Sequence, residues 1–329
     1  MKSKHIITSI TYRLPNHSEN SYLQGNAKWT SDWNDITNNA FIFHPFLGNE
    51  FLLIEEIKAV STDELQFYFK DDNHQETLRT AYNASFKAII DAISTEGFSK
   101  IILSRTKTVQ HQLNALEVFD ALNSNYKNTF NYIISNEEIG TWIGATPERL
   151  LMIENNKIST MSLAGTKTPS AEWSQKEFDE QAFVTDTILT EIGAFCSNIE
   201  SFGPETIAAG PIEHLQTSIS GQLNKVQDWA QLVKKLHPTP AVCGTPTDKA
   251  KAFIQKNEAH DRKFYTGFLG LVENQNKSFF VNLRCMEFYK DAAKLYIGGG
   301  IIKESNLEDE WLETDRKAST LVSILNPSK

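Results

Sequence analysis

Cysteine is scarce in this chain of 329 residues, and what there is cannot easily pair. Cys196, Cys243 and Cys285 are odd in number, far apart and without C-x-x-C spacing. That excludes a disulfide framework and a cysteine-built metal site, and it makes a reducing compartment the expected one. Long apolar runs are also missing: no stretch approaches the roughly 20 residues needed to cross a bilayer. The opening MKSKHIITSITYRLPNHSEN has neither an apolar core nor a small-residue cleavage site, so a cytoplasmic address is expected. Positive charge is in deficit, with 32 Lys and Arg against 41 Asp and Glu and a net charge of −9. This argues against a nucleic-acid or anionic-membrane surface, which needs concentrated cations; a small anionic ligand needs only a few. There is no internal repeat, low-complexity tract or Gly/Ser/Pro linker, hence no evident domain boundary, and residues 1–329 read as one domain.

What is present is ample for a core: 40 % of residues are hydrophobic and 11 % aromatic. Residues 1–75 are rich in Asn, Ser, Thr and aromatics, with short strand-like runs at Ala40–His44 and Phe51–Ile57. Glu76–Glu96 reads as a helix stopped by Gly97, and Ile101–Leu103 begins a strand that ends in Ser104-Arg105. Phe130–Ile134 and Thr141–Ala145 read as paired strands around Asn136-Glu137-Glu138, and Leu150–Ile153 continues the sheet. Ser174-Gln-Lys-Glu177 is a capping box opening a long helix, whose apolar seam is read as Phe178, Ala182, Thr185, Leu189, Ile192, Cys196 and Ile199. Phe279–Phe288 reads as one mostly apolar strand, and Leu295–Ile302 as its partner carrying Gly298-Gly299-Gly300. A last helix is expected from Ser305, with Ser-x-x-Glu at Ser305 and Glu308, to Leu325. Strands and helices mix without regular βαβ alternation, so the class is α+β.

Few of these residues name a chemistry alone. Glu177 and Glu180 share one helix face, as do Glu310 and Glu313 on the last helix, so each helix can present two carboxylates to one point. Four such groups suit a hard cation such as Mg²⁺, held partly through water. The alternative is plain: charged helix faces are usually solvated, Glu177 completes a capping box, and Glu313 with Lys317 makes an ordinary i, i+4 pair. Arg284 interrupts an apolar run, where it either forks onto a carboxylate ligand or joins a structural ion pair. The Gly298–Gly300 run is no P-loop, since no Gly-Lys-Ser/Thr follows; it permits either a close approach or a bulge. Lys100 is either an exposed strand-end lysine or, if desolvated, a base.

The order of the motifs is more specific. SKIILSR (99–105), IGATPERLL (143–151), SLAGTKT (162–168), KEFDEQ (176–181), HLQTSISGQL (214–223), LHPTPAVCGTP (236–246), DRKFYTGFLG (261–270), VNLR (281–284), GGGIIKES (298–305) and EWLETDRK (310–317) follow one another. In this the chain resembles the chorismate-utilising enzymes: isochorismate synthases, salicylate synthases, and the synthase components that make anthranilate and aminodeoxychorismate. The resemblance covers roughly residues 85–327 and leaves 1–75 as the variable N-terminal part. It implies two large antiparallel sheets packed together, with helices outside and one active site, the fold of anthranilate synthase component I. It implies Mg²⁺ on Glu180 and Glu313, with Glu177 and Glu310 acting directly or through water, chelating the ring carboxylate of chorismate. Arg284 and Tyr265 would clamp the enolpyruvyl carboxylate with backbone contact from Gly300. Gly165, Thr166, His214 and Lys317 would line the pocket near the ring carboxylate and metal.

Three positions separate the family's reactions. Members that add ammonia carry Gln where this chain has Lys100, whereas lysine marks those that activate water. Aminodeoxychorismate synthases of the enteric type carry a nucleophilic Lys in place of Ala164. Members that go on to eliminate pyruvate carry Thr in place of Ala241. The resemblance therefore implies an isochorismate synthase, an isomerase with Lys100 as base and Glu148 as acid. The rivals are a salicylate synthase and an aminating subunit dependent on a glutaminase. No obligatory protein partner is expected, and a monomer is. The product's destination, menaquinone, a siderophore or salicylate, stays open. Gln181 and Lys167 depart from the family's usual His and Arg and bear on geometry around the metal.

Overall fold

The computed structural model describes residues 6–71, 75–209 and 212–326. The chain runs β1 (Ile6–Arg13), β2 (Ser21–Thr30), β3 (Ala40–His44), β4 (Phe51–Ala59), α1 (Arg79–Glu96), β5 (Lys100–Gln110) and α2 (Ala115–Asn125). It continues through β6 (Phe130–Asn136), β7 (Gly140–Thr146), β8 (Arg149–Glu154), β9 (Lys157–Lys167), α3 (Gln175–Gly193), β10 (Cys196–Ala209), β11 (Ile212–Leu223) and α4 (Trp229–Leu236). The last third is β12 (Gly244–Thr245), α5 (Thr247–Asn257), β13 (Phe268–Glu273), β14 (Asn276–Val281), β15 (Cys285–Phe288), β16 (Ala292–Ile301) and α6 (Leu307–Leu325). No helix among the described residues is long and apolar enough to cross a membrane.

Hydrogen bonding passes through sixteen strands in the order β10-β11-β9-β8-β14-β13-β3-β4-β2-β1-β6-β7-β15-β16-β5-β12. The registered pairs are antiparallel; β1, for instance, pairs with β2 and β6. The two-residue side-chain period assigns each strand's faces to different cores. On β3, Phe41 and Phe43 join one cluster with Tyr132, Trp142, Phe264 and Tyr296, while Ala40 and Ile42 join another with Val184 and Ile188 of α3. The first cluster is the seam between two halves of the sheet. Phe43 meets Tyr132 and Trp142 edge-on at 6.2 and 6.1 Å, and Phe130 stacks on Phe280 at 4.4 Å. Each fully buried ring of this kind contributes about 1.5–3 kcal/mol. Outside, α3 and α4 cover one half, and α2 and α6 cover the other through Val118, Phe119, Leu321 and Ile324. The expected pair of packed sheets is thus one continuous ladder folded on itself.

Four local expectations need correction. Strand β5 does not end at Ser104-Arg105 but runs on to Gln110, paired with β16. The run Phe279–Phe288 is not one strand. It breaks at residues 282–284, where the chain leaves β14, paired with β8 and β13, for β15, paired with β7 and β16. Asn282, accepting from the Tyr132 hydroxyl at 2.6 Å and donating to the Phe264 carbonyl at 2.9 Å, holds the crossing, and Arg284 turns through φ +47°. The buried face of α3 is Gln181, Val184, Ile188 and Ile192, so Phe178 is exposed and the helix ends before Cys196. Asn306, not Ser305, caps α6, accepting from the amides of Glu308 and Asp309.

Candidate active site

One cavity opens where α3 with β9 and β11 faces α6 with β5 and β16. Lys100 enters it from the start of β5, and Glu148 from the turn between β7 and β8. The backbone of Glu148 is pinned: its carbonyl accepts from Val281 N at 3.0 Å, while Thr146 Oγ1 bonds the Val281 carbonyl at 2.6 Å. Tyr265 and Arg284 come from the turns before β13 and β15. Gly165 and Thr166 come from β9, His214 from β11, Ala241 from the segment after α4, and Gly300 from β16. Helix α3 supplies Glu177 and Glu180, and α6 supplies Glu310, Glu313 and Lys317. Every residue expected from the sequence to act in catalysis or to hold substrate or metal therefore lines one space.

The glycine run of β16 has a steric reason. A Cβ at Gly298 would lie 2.8 Å from the Tyr265 hydroxyl, and one at Gly300 would collide with the Lys100 side chain. At Gly299 it would stand 3.3 Å from Glu310 Oε2 and 3.7 Å from Glu313 Oε1. Each glycine leaves room for a charged or polar side chain of the cavity, so the close-approach reading holds and a bulge is not needed.

Charge is arranged in pairs. Lys100 is ion-paired with Glu180, and Lys317 with Glu313 at 2.8 Å. Burial pushes the Glu180 carboxyl up, but Lys100 beside it, the Gly165 amide and Lys317 outweigh this, leaving it below the usual range. Lys317 likewise holds Glu313 down against burial. Glu310 goes the other way, raised by burial and by its neighbour Glu313 although Ser305 donates to it at 2.6 Å. Glu177 is engaged at the start of α3, accepting from Ser174 N at 2.9 Å and Ser174 Oγ at 2.5 Å, so the capping box is real and coexists with a place in the lining.

Among the described residues no three His, Cys, Asp or Glu stand together as a ready metal cage. The donor set still fits a hard cation: four carboxylates from two helices, oxygen only, with Gly299 keeping the space beside Glu310 and Glu313 clear. The ammonium groups of Lys100 and Lys317 occupy the carboxylates that such an ion would use.

Glu148 is buried, and burial pushes its carboxyl up to about 7, with Thr239 and Lys100 pulling back. Thr239 Oγ1 reaches Glu148 Oε1 at 3.4 Å. Burial lowers His214 to about 4, so the imidazole is neutral; its Nδ1–H donates to the Gly165 carbonyl at 2.9 Å and leaves Nε2 an acceptor. Burial also lowers Arg284 and raises the Tyr265 phenol. Gln181 fills its buried position by donating to Ser162 and Thr217, and Lys167 pairs with Glu213, so both departures are accommodated outside the lining. The sequence assigned no site role to Thr239, part of the LHPTPAVCGTP motif, or to Lys176, beside Glu177 in the lining.

Comparison with known proteins identifies the family. Residues 49–326 match the family model described as chorismate binding enzyme. The isochorismate synthase DhbC of Bacillus subtilis (strain 168) is 32 % identical over 250 residues, 69 % of this chain and 63 % of that protein. The chloroplastic isochorismate synthase of Catharanthus roseus is 27 % identical over 265 residues, 75 % of this chain and 46 % of that protein. The matched part is thus less than two thirds of either relative's length. A crystal structure of a putative 2,3-dihydroxybenzoate-specific isochorismate synthase, DhbC, from Bacillus anthracis covers 98 % of this chain and 97 % of its own, with TM-score 0.81 and 25 % identity. MenF, the menaquinone-specific isochorismate synthase from Escherichia coli, shares the fold, with TM-score 0.82 at 21 % identity over 98 % of this chain and 90 % of its own. A match over residues 49–326, most of its length, makes this chain a member of the chorismate-binding enzyme family.

Proposed function

We propose that the protein is an isochorismate synthase, exchanging the C4 hydroxyl of chorismate for a new hydroxyl at C2. The observation that carries this is the presence in one cavity of Lys100, where ammonia-adding members carry glutamine, and of a buried Glu148 whose carboxyl is pushed up to about 7. Lys100, as a neutral amine, takes a proton from water attacking C2. Both ring double bonds shift as the C4–O bond breaks, and Glu148, protonated when substrate binds, gives its proton to the departing C4 hydroxyl. A group near 7 is well matched to that task. The Lys100–Glu180 ion pair has to open first, because an ammonium cannot act as base.

Glu180 and Glu313, with Glu177 and Glu310 directly or through water, would hold Mg²⁺, which supplies charge balance for the ring carboxylate. Arg284 forks onto the enolpyruvyl carboxylate, and Tyr265 and the Gly300 backbone complete that end. One allylic alcohol replaces another, so the reaction is nearly balanced and reversible. The curated relatives named isochorismate synthases support the reading. Turnover in H₂¹⁸O tests it: label should enter the product once, at C2. Product without label would remove water as the nucleophile and Lys100 as its base.

A further inference from the structure

Arg262 lies outside the cavity lining, in the turn between α5 and β13, and is 2 % exposed. Its Nε and Nη2 donate to the two oxygens of Glu258 at 2.7 and 2.8 Å. Nη2 also reaches the Ile102 carbonyl at 2.9 Å, and Nη1 the Val242 carbonyl at 2.9 Å and Thr266 Oγ1 at 3.2 Å. Every donor of the guanidinium is used. Glu258, buried as well, accepts further bonds from Ser104 N at 2.7 Å and Ser104 Oγ at 2.8 Å, and Phe46 lies beneath the guanidinium at 4.5 Å.

The residues bonded to this ion pair belong to three separate walls of the cavity. Ile102 and Ser104 are on β5, two and four residues past Lys100, and Ser104 registers with Gly298 of β16. Val242 follows Ala241 in the segment that brings Thr239 to Glu148. Thr266 follows Tyr265. A buried ion pair is weak evidence for stability, because apolar residues of similar volume often replace it without loss. Apolar residues could not bind a carbonyl on β5, a carbonyl after α4 and a hydroxyl before β13 at once.

We propose that Arg262 is a positioning residue: anchored by Glu258, it fixes the Lys100 strand, the 239–243 segment and the Tyr265–Thr266 turn relative to one another. Its catalytic consequence rests on the reading of this cavity as the site of the chorismate–isochorismate exchange. There a displacement of about 1 Å between base, acid and substrate costs ~10²-fold in rate.

The test is Arg262→Lys in the full chain, which keeps the charge facing Glu258 but cannot span three segments from one nitrogen. Amide hydrogen exchange should quicken in residues 100–104, 239–243 and 264–267 and stay unchanged in the β1–β2 hairpin and α2. In the same protein kcat for chorismate should fall about tenfold or more, with KM changed less, as expected when orientation and not binding is lost. Unchanged exchange in those segments, or exchange raised evenly over the whole chain, overturns the proposal. So does local loosening with kcat within about twofold of the unmodified protein. If Arg262→Lys does not fold, Ser104→Ala carries the test by removing one donor to Glu258: the same segments should loosen to a smaller extent, and no change there overturns the proposal. An unmodified protein inert toward chorismate sinks the functional reading alone, and the exchange arm still decides whether Arg262 ties the three segments.

Discussion

Replacing Glu148 by Gln separates the chemistry of this site from its cost to stability. Burial raises the Glu148 carboxyl from an ordinary 4.5 to about 7. At pH 7 roughly half of it is protonated, against about one part in three hundred at the ordinary value, so burial alone multiplies the working form by ~10². The same shift is a stability statement. The folded state binds this proton more tightly than the unfolded chain, so stability is full below about pH 4.5 and is lost as pH rises to about 7. At 1.36 kcal/mol per unit the loss above pH 7 is about 3 kcal/mol. Glutamine keeps the shape and the carbonyl facing Thr239 but carries no charge to bury. In metal-free protein Glu148→Gln should therefore melt about 4–5 °C higher than the parent at pH 8, using ~2.1 cal/mol/K of unfolding entropy per residue. The two should melt together near pH 4.5. Activity should fall ~10²–10⁴-fold, and the decline in rate expected of the parent above pH 7 should be absent from the variant. Calorimetry at the two pH values and chorismate turnover from pH 6 to 9 measure both effects. A variant that keeps most of its activity, or is destabilised equally at both pH values, refutes the argument.

Three further outcomes follow from the same geometry. Chelation with EDTA should silence the enzyme and Mg²⁺ restore it, with Glu180→Ala and Glu313→Ala each mimicking metal loss; full turnover in chelator would leave the four carboxylates as solvated helix faces. Gly300→Ala should keep the fold but lower kcat by about tenfold or more, because its Cβ displaces the Lys100 side chain; a rate within twofold shows that Lys100 has another productive pose. Ala241→Thr should raise pyruvate release several-fold at most, since the added hydroxyl offers one hydrogen bond worth ~0.5–1.5 kcal/mol to poses that favour elimination. Lactate dehydrogenase coupling reads this directly, and no rise removes Ala241 from the choice of product.

Much of the site was legible because its chemistry depends on residue type and spacing that a sequence carries directly. The i, i+3 carboxylates, Lys100 ahead of IILSR and the Gly298–Gly300 run are of this kind, and the structure brings them to one cavity. What was not legible depends on contacts distant in sequence. The Phe279–Phe288 run stays apolar through a crossing between sheet halves, and only the bonds of Asn282 to Tyr132 and Phe264 show the break. Helix α3 turns a glutamine inward, where its amide nitrogen donates to Ser162 and Thr217, so the apolar seam misjudges the buried face. Strands β1 and β2 hide in a Ser-, Thr- and Asn-rich stretch, since Thr8, Ser9 and Thr11 are buried within the sheet despite their polarity. The pairing of Lys100 with Glu180 joins residues eighty positions apart, and no local pattern announces it.

The central claim is the exchange of one ring hydroxyl for another without loss of the enolpyruvyl group. Its most direct test incubates the unmodified protein with chorismate and Mg²⁺, and separately with isochorismate, and follows the aromatic and non-aromatic products together with pyruvate. Both incubations should converge on the same mixture of chorismate and isochorismate, with negligible pyruvate and no need for an ammonia source. Pyruvate appearing in step with chorismate loss, or chorismate left untouched unless ammonia is supplied, would contradict it.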